Sequence, residues 1–207
     1  MEDWVQRALA RWPNVPALFG WLGLDRRGRW LIKGEPITRP QIIDTINRNY
    51  ASDEHGRWFF QNGPQRGYVA LHYAPLVLAA SGTDGADLCS HTGERVSRID
   101  AVFLDEEGSL LLSTDLGPGL LADSELAWAL ARLQTDDGPV TEEALAAALA
   151  CPSGSHTALK FTHAGISTSL RRLDQASAPG HLGFVREPQP DPAAETTCGS
   201  VNAPSTH

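Results

Sequence analysis

The sequence predicts an α+β fold: two similar hairpin–helix–hairpin units with small antiparallel sheets, an N-terminal helix and a disordered C-terminal tail. Three observations predict it. Apolar runs of strand length flank turns built on Asp and Gly, a helical-period stretch follows, and the same order of elements returns about 80 residues later. The 207 residues, 42% of them hydrophobic, suffice for one large domain or two small ones. The expected division is 1–16 for a helix and linker, 17–82 for the first unit, 83–186 for the second and 187–207 for the tail.

Trp4, Val5, Ala8, Leu9 and Trp12 recur at helical spacing behind Asp3, and Pro13 ends the run, so Asp3 to Trp12 reads as an amphipathic helix. Trp21 to Lys33 then places two apolar runs around Asp25-Arg26-Arg27-Gly28, where Asp accepts a local hydrogen bond and Gly accepts positive φ; this is a hairpin. Thr38 and Gln41 form a capping-box pattern with Pro40 in the first turn, and Ile42, Ile43, Ile46 and Tyr50 mark one face of a helix from about Arg39 to Asn49. Arg57 to Gln61, the turn Asn62-Gly63, and Gly67 to Tyr73 close the unit with a second hairpin.

In the second half Leu104-Asp105-Glu106-Glu107-Gly108 lies over Leu24-Asp25-Arg26-Arg27-Gly28. A helix capped by Asp123 with Leu126, Ala129, Leu130 and Leu133 on one face follows, then a helix from Thr141 to Ala150, then strands from Thr157 to Thr162 and Ile166 to Leu173. From Glu187 onward Pro188, Pro190, Pro192 and Pro204 stand among Ala, Thr, Ser and Gly with little to bury, which predicts disorder.

The first twelve residues carry Glu2, Asp3, Arg7 and Arg11, so no secretory core is expected, and no later stretch approaches the roughly 18 uncharged apolar residues that span a bilayer. Cys89, Cys151 and Cys198 are odd in number and far apart, which fits reduced thiols; the expected location is the cytoplasm, with no membrane partner. Net charge is −8, unevenly spread. Residues 1–72 hold ten Lys+Arg against seven Asp+Glu, giving +3, and residues 73–151 hold three against fourteen, giving −11. Such polarity can orient a dimer or steer an anionic ligand.

The run from Leu24 to Ile37, followed by a helix and by Gly56-Arg57-Trp58-Phe59-Phe60-Gln61-Asn62-Gly63-Pro64, resembles uncharacterised bacterial families classed as domains of unknown function. The resemblance covers Trp21 to Leu78 and, more loosely, Ala101 to Leu133. A related family of this kind is built from repeated α+β units, so the resemblance implies that fold and a role in signalling or ligand binding. It implies no catalytic residue.

No nucleotide-binding glycine motif is present. Cys89 and His91 are two residues apart, and His55, His72, His156 and His163 are scattered, without paired metal-ligand spacing, so no metal and no cofactor is expected. Asp105-Glu106-Glu107 reads as a solvated turn. Arginines interleaved with Trp30, Trp58, Phe59 and Phe60 resemble a single-strand stacking surface, but the net negative charge argues against nucleic acid. The densest polar set is Glu35, Asn47, Arg57, Gln61, Asn62, Gln65 and Arg66, whose amides and guanidinium groups suit a small polar ligand or a peptide. The expected function is therefore a non-catalytic ligand-sensing or protein-interaction module, able to self-associate through Trp4, Trp12 or an open sheet edge. The competing readings are a small hydrolase, in which His55 or His72 meets Glu35 or Asp44, and a single-stranded nucleic-acid binder.

Overall fold

A computed structural model describes residues 16–190. The helix expected over residues 3–12, and the tail from residue 191 on, lie outside the described residues. The first sheet contains β1 (Ala17–Leu24), β2 (Trp30–Ile32), β3 (Glu35–Pro36), β4 (Tyr50–Ser52), β5 (Trp58–Asn62) and β6 (Gln65–Leu71), with α1 (Pro40–Arg48) between β3 and β4. Its order is β3-β2-β1-β6-β5-β4. The β1–β6 pair is parallel and the others are antiparallel.

The second sheet contains β7 (Leu76–Ser81), β8 (Asp87–Ser90), β9 (Ile99–Leu104), β10 (Leu110–Thr114), β11 (Gly117–Leu121), β12 (Leu133–Thr135), β13 (Gly138–Pro139), β14 (His156–His163) and β15 (Ile166–Arg172). Short helices α2 (Leu126–Leu130) and α3 (Glu142–Leu149) interrupt it and α4 (Ala178–Leu182) follows. The order is β13-β12-β14-β15-β9-β10-β11-β7-β8, with parallel pairs β15–β9 and β11–β7.

This corrects the expected fold class. The described residues are mostly β, in two mixed sheets of six and nine strands, and not an α+β pair of hairpin–helix–hairpin units with small antiparallel sheets. Alternation and turn residues report antiparallel neighbours that are close in sequence, and the hairpins do fall where they report them. Parallel pairing joins strands distant in sequence, such as Leu22 with Val69 and Leu170 with Val102, and leaves no local signal. It fuses the hairpins into continuous sheets, and the helices are too short to form a layer.

One local device recurs. In Asp25-Arg26-Arg27-Gly28-Arg29, Asp25 Oδ1 accepts from the N–H groups of Arg27 and Arg29, both at 2.9 Å, while Gly28 at φ 75° donates to the Asp25 carbonyl. Asp53 holds His55 and Arg57 in the same way, and Asp105 holds Glu107 and Ser109. Ser90 does so through Oγ and Glu94 N–H, closing Ser90-His91-Thr92-Gly93-Glu94. The Asp or Ser oxygen satisfies donors the turn leaves over, and Gly supplies the positive φ.

Helix starts differ from expectation. The Thr38–Gln41 capping box does not form; α1 starts on Pro40 with Arg39 as N-cap and no side-chain cap bond. The proline at N1 already removes one of the N–H groups a cap would serve. Asp123 opens a 3-10 turn ahead of α2, whereas Thr141 caps α3 by accepting from Ala144 N–H at 3.2 Å.

A single apolar cluster runs through both sheets, from Leu22, Trp30 and Trp58 to Leu111, Leu159 and Phe161. Where the sheets meet, Asp105 is fully buried, not solvated as the sequence led one to expect; Tyr73 donates to its Oδ2 at 2.5 Å, with the guanidinium groups of Arg26 and Arg186 at 4.5 and 5.0 Å from the Tyr73 ring. Arg26 also donates to Ser109 Oγ, so the turn of the first sheet meets the corresponding turn of the second. Beyond α4 the chain returns to the first sheet: Leu71 N–H donates to the Arg186 carbonyl, Val185 N–H donates to the Gly56 carbonyl, and Phe184 and Pro188 are buried. Residues 187–190 are thus the described part of the expected tail.

Candidate functional site

The polar residues singled out in the sequence are distributed over four places. Glu35 is exposed on β3. Asn47, on α1, accepts from Trp30 Nε1 at 2.7 Å. Arg57 donates to Asp53 Oδ2 at 2.8 Å and lies 4.9 Å from the centre of the Tyr68 ring. Gln61, Asn62, Gln65 and Arg66 come together at the β5–β6 hairpin end, where Gln61 donates to the carbonyls of Gly63 and Gln65 and Arg66 stacks over Phe59 at 4.4 Å. Much of this polarity is engaged in holding turns and capping aromatic rings.

A cleft forms elsewhere, at the mouth of the nine-stranded sheet. Strand β8 is one edge of that sheet and β14 is near the other, yet Asp87 of β8 and Phe161 and His163 of β14 line the same space of about 290 Å³. The sheet therefore curls into a half-barrel. Helix α2 and the turn after it latch the gap, since Trp128 Nε1 and Arg132 Nη2 both donate to the Gly85 carbonyl, at 2.8 and 3.2 Å.

The cleft floor is apolar, from Val96, Ile99 and Phe161, and the rim carries Arg95 and Arg98. Arg95 pairs with Asp87, and Arg98 donates to Asp100 at 2.6 Å, but their side chains remain 70% and 66% exposed. His163 sits 5.7 Å from the Trp128 ring. Burial, then the Arg132 guanidinium, holds its imidazole below the ordinary range against the opposing pull of Asp87, so it is neutral at pH 7. The arginines supply the positive charge of this rim.

The Cys89–His91 pair does not assemble as a nucleophile and base. Cys89 Sγ lies 3.0 Å from Ser81 Oγ, while His91 Nδ1 accepts from Val77 N–H at 3.2 Å. The His91 ring packs beside Trp30 and Tyr50, its Nε2 is shut off from solvent without a protein partner, and burial pushes its pKa down to about 4. Among the described residues no group of three or more His, Cys, Asp or Glu side chains is placed to hold a metal ion, and no helix is long and apolar enough to cross a membrane.

Sequence reasoning misses the cleft. Of its residues only His163 stands out in the sequence, as one of the scattered histidines, and Asp87, Arg95, Arg98 and Phe161 come from strands and turns that only the curl of the sheet brings together.

The chain is similar to one family and to two solved structures. The sequence profile of the family DUF2944, described as "Protein of unknown function (DUF2946)", matches residues 1–189. A crystal structure of a DUF1285 family protein from Silicibacter pomeroyi DSS-3 is similar with a TM-score of 0.51 at 14% identity, over 81% of this chain and 93% of that one. Another DUF1285 family protein, from Shewanella baltica OS155, is similar over 52% of this chain and 88% of that one, at 14% identity and a TM-score of 0.41. The first likeness is one of fold alone. No curated protein matches.

Proposed function

Since the chain belongs to the DUF2944 family of proteins of unknown function, we propose from its own geometry that it is a non-catalytic binding module whose half-barrel cleft takes a small anionic ligand with an apolar body. The observation that carries this reading is the pair of exposed guanidinium groups, Arg95 and Arg98, above a floor of Val96, Ile99 and Phe161. Guanidinium forks match carboxylate and phosphate oxygens, and the mouth of a curled sheet is a common place for a ligand. The partners these arginines now hold, the half-buried Asp87 of the cleft lining and the exposed Asp100, are carboxylates within reach of water, and such pairs exchange at small cost. The free thiols of Cys89 and Cys151 support a cytoplasmic setting.

The test is native mass spectrometry of the freshly purified chain, followed by titration with octanoate and with octanol at equal ionic strength. The expected result is saturable octanoate binding that weakens several-fold in an Arg95→Ala, Arg98→Ala double variant, with octanol the poorer ligand throughout. Equal binding of the two ligands, or a double variant that binds octanoate as the parent does, overturns the reading.

A further inference from the structure

A second pocket lies at the seam between the two sheets, and none of the residues framing it belongs to the half-barrel cleft. We infer that it binds a small organic ammonium ion. The space, about 250 Å³, is framed by Tyr50 and Ser52 of β4, Trp58 of β5, Leu116 between β10 and β11, and Thr92 and Glu94 of the Ser90 turn.

Its rings are set before any ligand arrives. The Tyr50 and Trp58 centroids are 4.9 Å apart at an interplanar angle of 41°, which makes a wedge. Tyr50 is fixed by donating its hydroxyl to the Pro75 carbonyl at 3.0 Å and by an edge contact with Trp30 at 4.9 Å. Trp58 is held against the backbone of Gly117, where even a Cβ would stand only 3.1 Å from its ring. Aromatic faces attract cations most strongly when the rings are rigid and partly shielded from water.

The charge balance points the same way. Among the described residues framing the pocket, Glu94 is the one carboxylate, and none is a lysine, arginine or histidine. The nearest histidine, His91, has its ring 5.9 Å from that of Tyr50 and stays neutral at pH 7, so it sets no positive charge behind the wedge. The backbone adds carbonyl acceptors beside the N–H donors of the same residues. Strand β4 is the edge of its sheet, and because Gln61 N–H donates to Asn49 and Asp53 N–H donates to Arg57, the peptide groups of Tyr50 and Ser52 between them face away from β5. A carboxylate, outward-facing carbonyls and two rigid aromatic rings in the lining make a cation receptor. An anion would meet the carboxylate of Glu94.

The experiment titrates the full chain with tetramethylammonium and, separately, with n-butylammonium, at ionic strength held constant with sodium chloride, and follows backbone amide resonances by NMR. With at least one of the two, saturable changes confined to Ser52, Thr92, Glu94 and their neighbours are expected, with no such pattern for tert-butanol, a neutral molecule of similar shape. Glu94 is exposed, so Glu94→Gln should fold normally and raise the dissociation constant about threefold, the size of a solvent-exposed ion pair. Absence of saturation with both ammonium ions, or an unchanged constant in Glu94→Gln, overturns the inference.

Discussion

Folding should weaken as the pH falls from 6.5 towards 4, and His91 should be the cause. Its imidazole is wedged between Trp30 and Tyr50, with Nδ1 accepting from Val77 N–H, and burial lowers its pKa from 6.5 to about 4. The folded state therefore binds fewer protons than the unfolded one. Its contribution is complete above pH 6.5 and is lost as the pH falls towards the folded value. Each tenfold difference in proton affinity between the two states corresponds to about 1.4 kcal/mol, so the loss reaches about 2 kcal/mol at pH 5 and about 3 kcal/mol near pH 4. Tyr50, pushed well above its ordinary value by burial, stays neutral throughout this range. The comparison is His91→Asn, whose amide oxygen can still accept from Val77 but does not titrate. Urea unfolding followed by tryptophan fluorescence at pH 7.5 and pH 5 gives the stability of each protein, and the advantage of the parent over the variant should shrink by about 2 kcal/mol. If that advantage is the same at both pH values, the imidazole is not held neutral by the fold.

Three further outcomes are expected. Tyr73→Phe removes the donor from a fully buried carboxylate oxygen of Asp105 and should lower stability by about 2–3 kcal/mol with an unchanged denaturant slope; a loss below about 0.5 kcal/mol would mean the sheets are not joined there. Gly56→Ala places a Cβ 2.2 Å from the Gly183 carbonyl at φ 74°, so it should cost about 2 kcal/mol or more and raise proteolysis after Gly183; wild-type stability would show that the returning segment contributes nothing. For Asp53, burial raises its pKa but the Arg57 side chain and the N–H groups of Arg57 and His55 outweigh it, holding the carboxyl below its ordinary value. Its contribution is present above the unfolded value near 4 and is lost as the pH falls through the folded one, so Asp53→Asn should flatten the acid limb of the stability profile, as read by unfolding between pH 5 and pH 2.5.

What is legible in the sequence is local. The Asp25 and Asp105 turns, α1, α3 and the β14–β15 hairpin fall where turn chemistry and periodicity place them, because each is specified by residues a few positions apart. Strand β11 shows why the rest is hidden. Gly117-Pro118-Gly119 consists of residues that weaken strands, yet it pairs antiparallel with β10 and leads into a parallel pairing with β7, and Gly119 is needed there because a Cβ would come within 2.6 Å of Leu78. Leu76–Ser81, an apolar run with no turn partner of its own, becomes a strand only through β8 and β11. The candidate cleft is less legible still, since Arg95, Arg98 and His163 meet only after nine strands have curled.

The recurring turn also explains why the seam pocket can carry free charge. In the Asp25 and Asp53 turns the fifth residue is an arginine, Arg29 or Arg57, and its guanidinium is taken up by the turn's own aspartate. In the Asp105 turn the fifth residue is Ser109, which leaves Oδ2 for Tyr73 and turns the motif into a joint between sheets. The Ser90 turn is closed by a neutral hydroxyl, and its fifth residue is Glu94. A serine needs no counter-charge, so this one copy contributes an acid that its own backbone closure does not consume. Replacing Ser90 with Asp would keep the turn's geometry but set a second carboxylate beside Glu94. The same backbone frame thus serves as an internal ion pair, an intersheet joint or the rim of a pocket, according to which residues stand first and fifth.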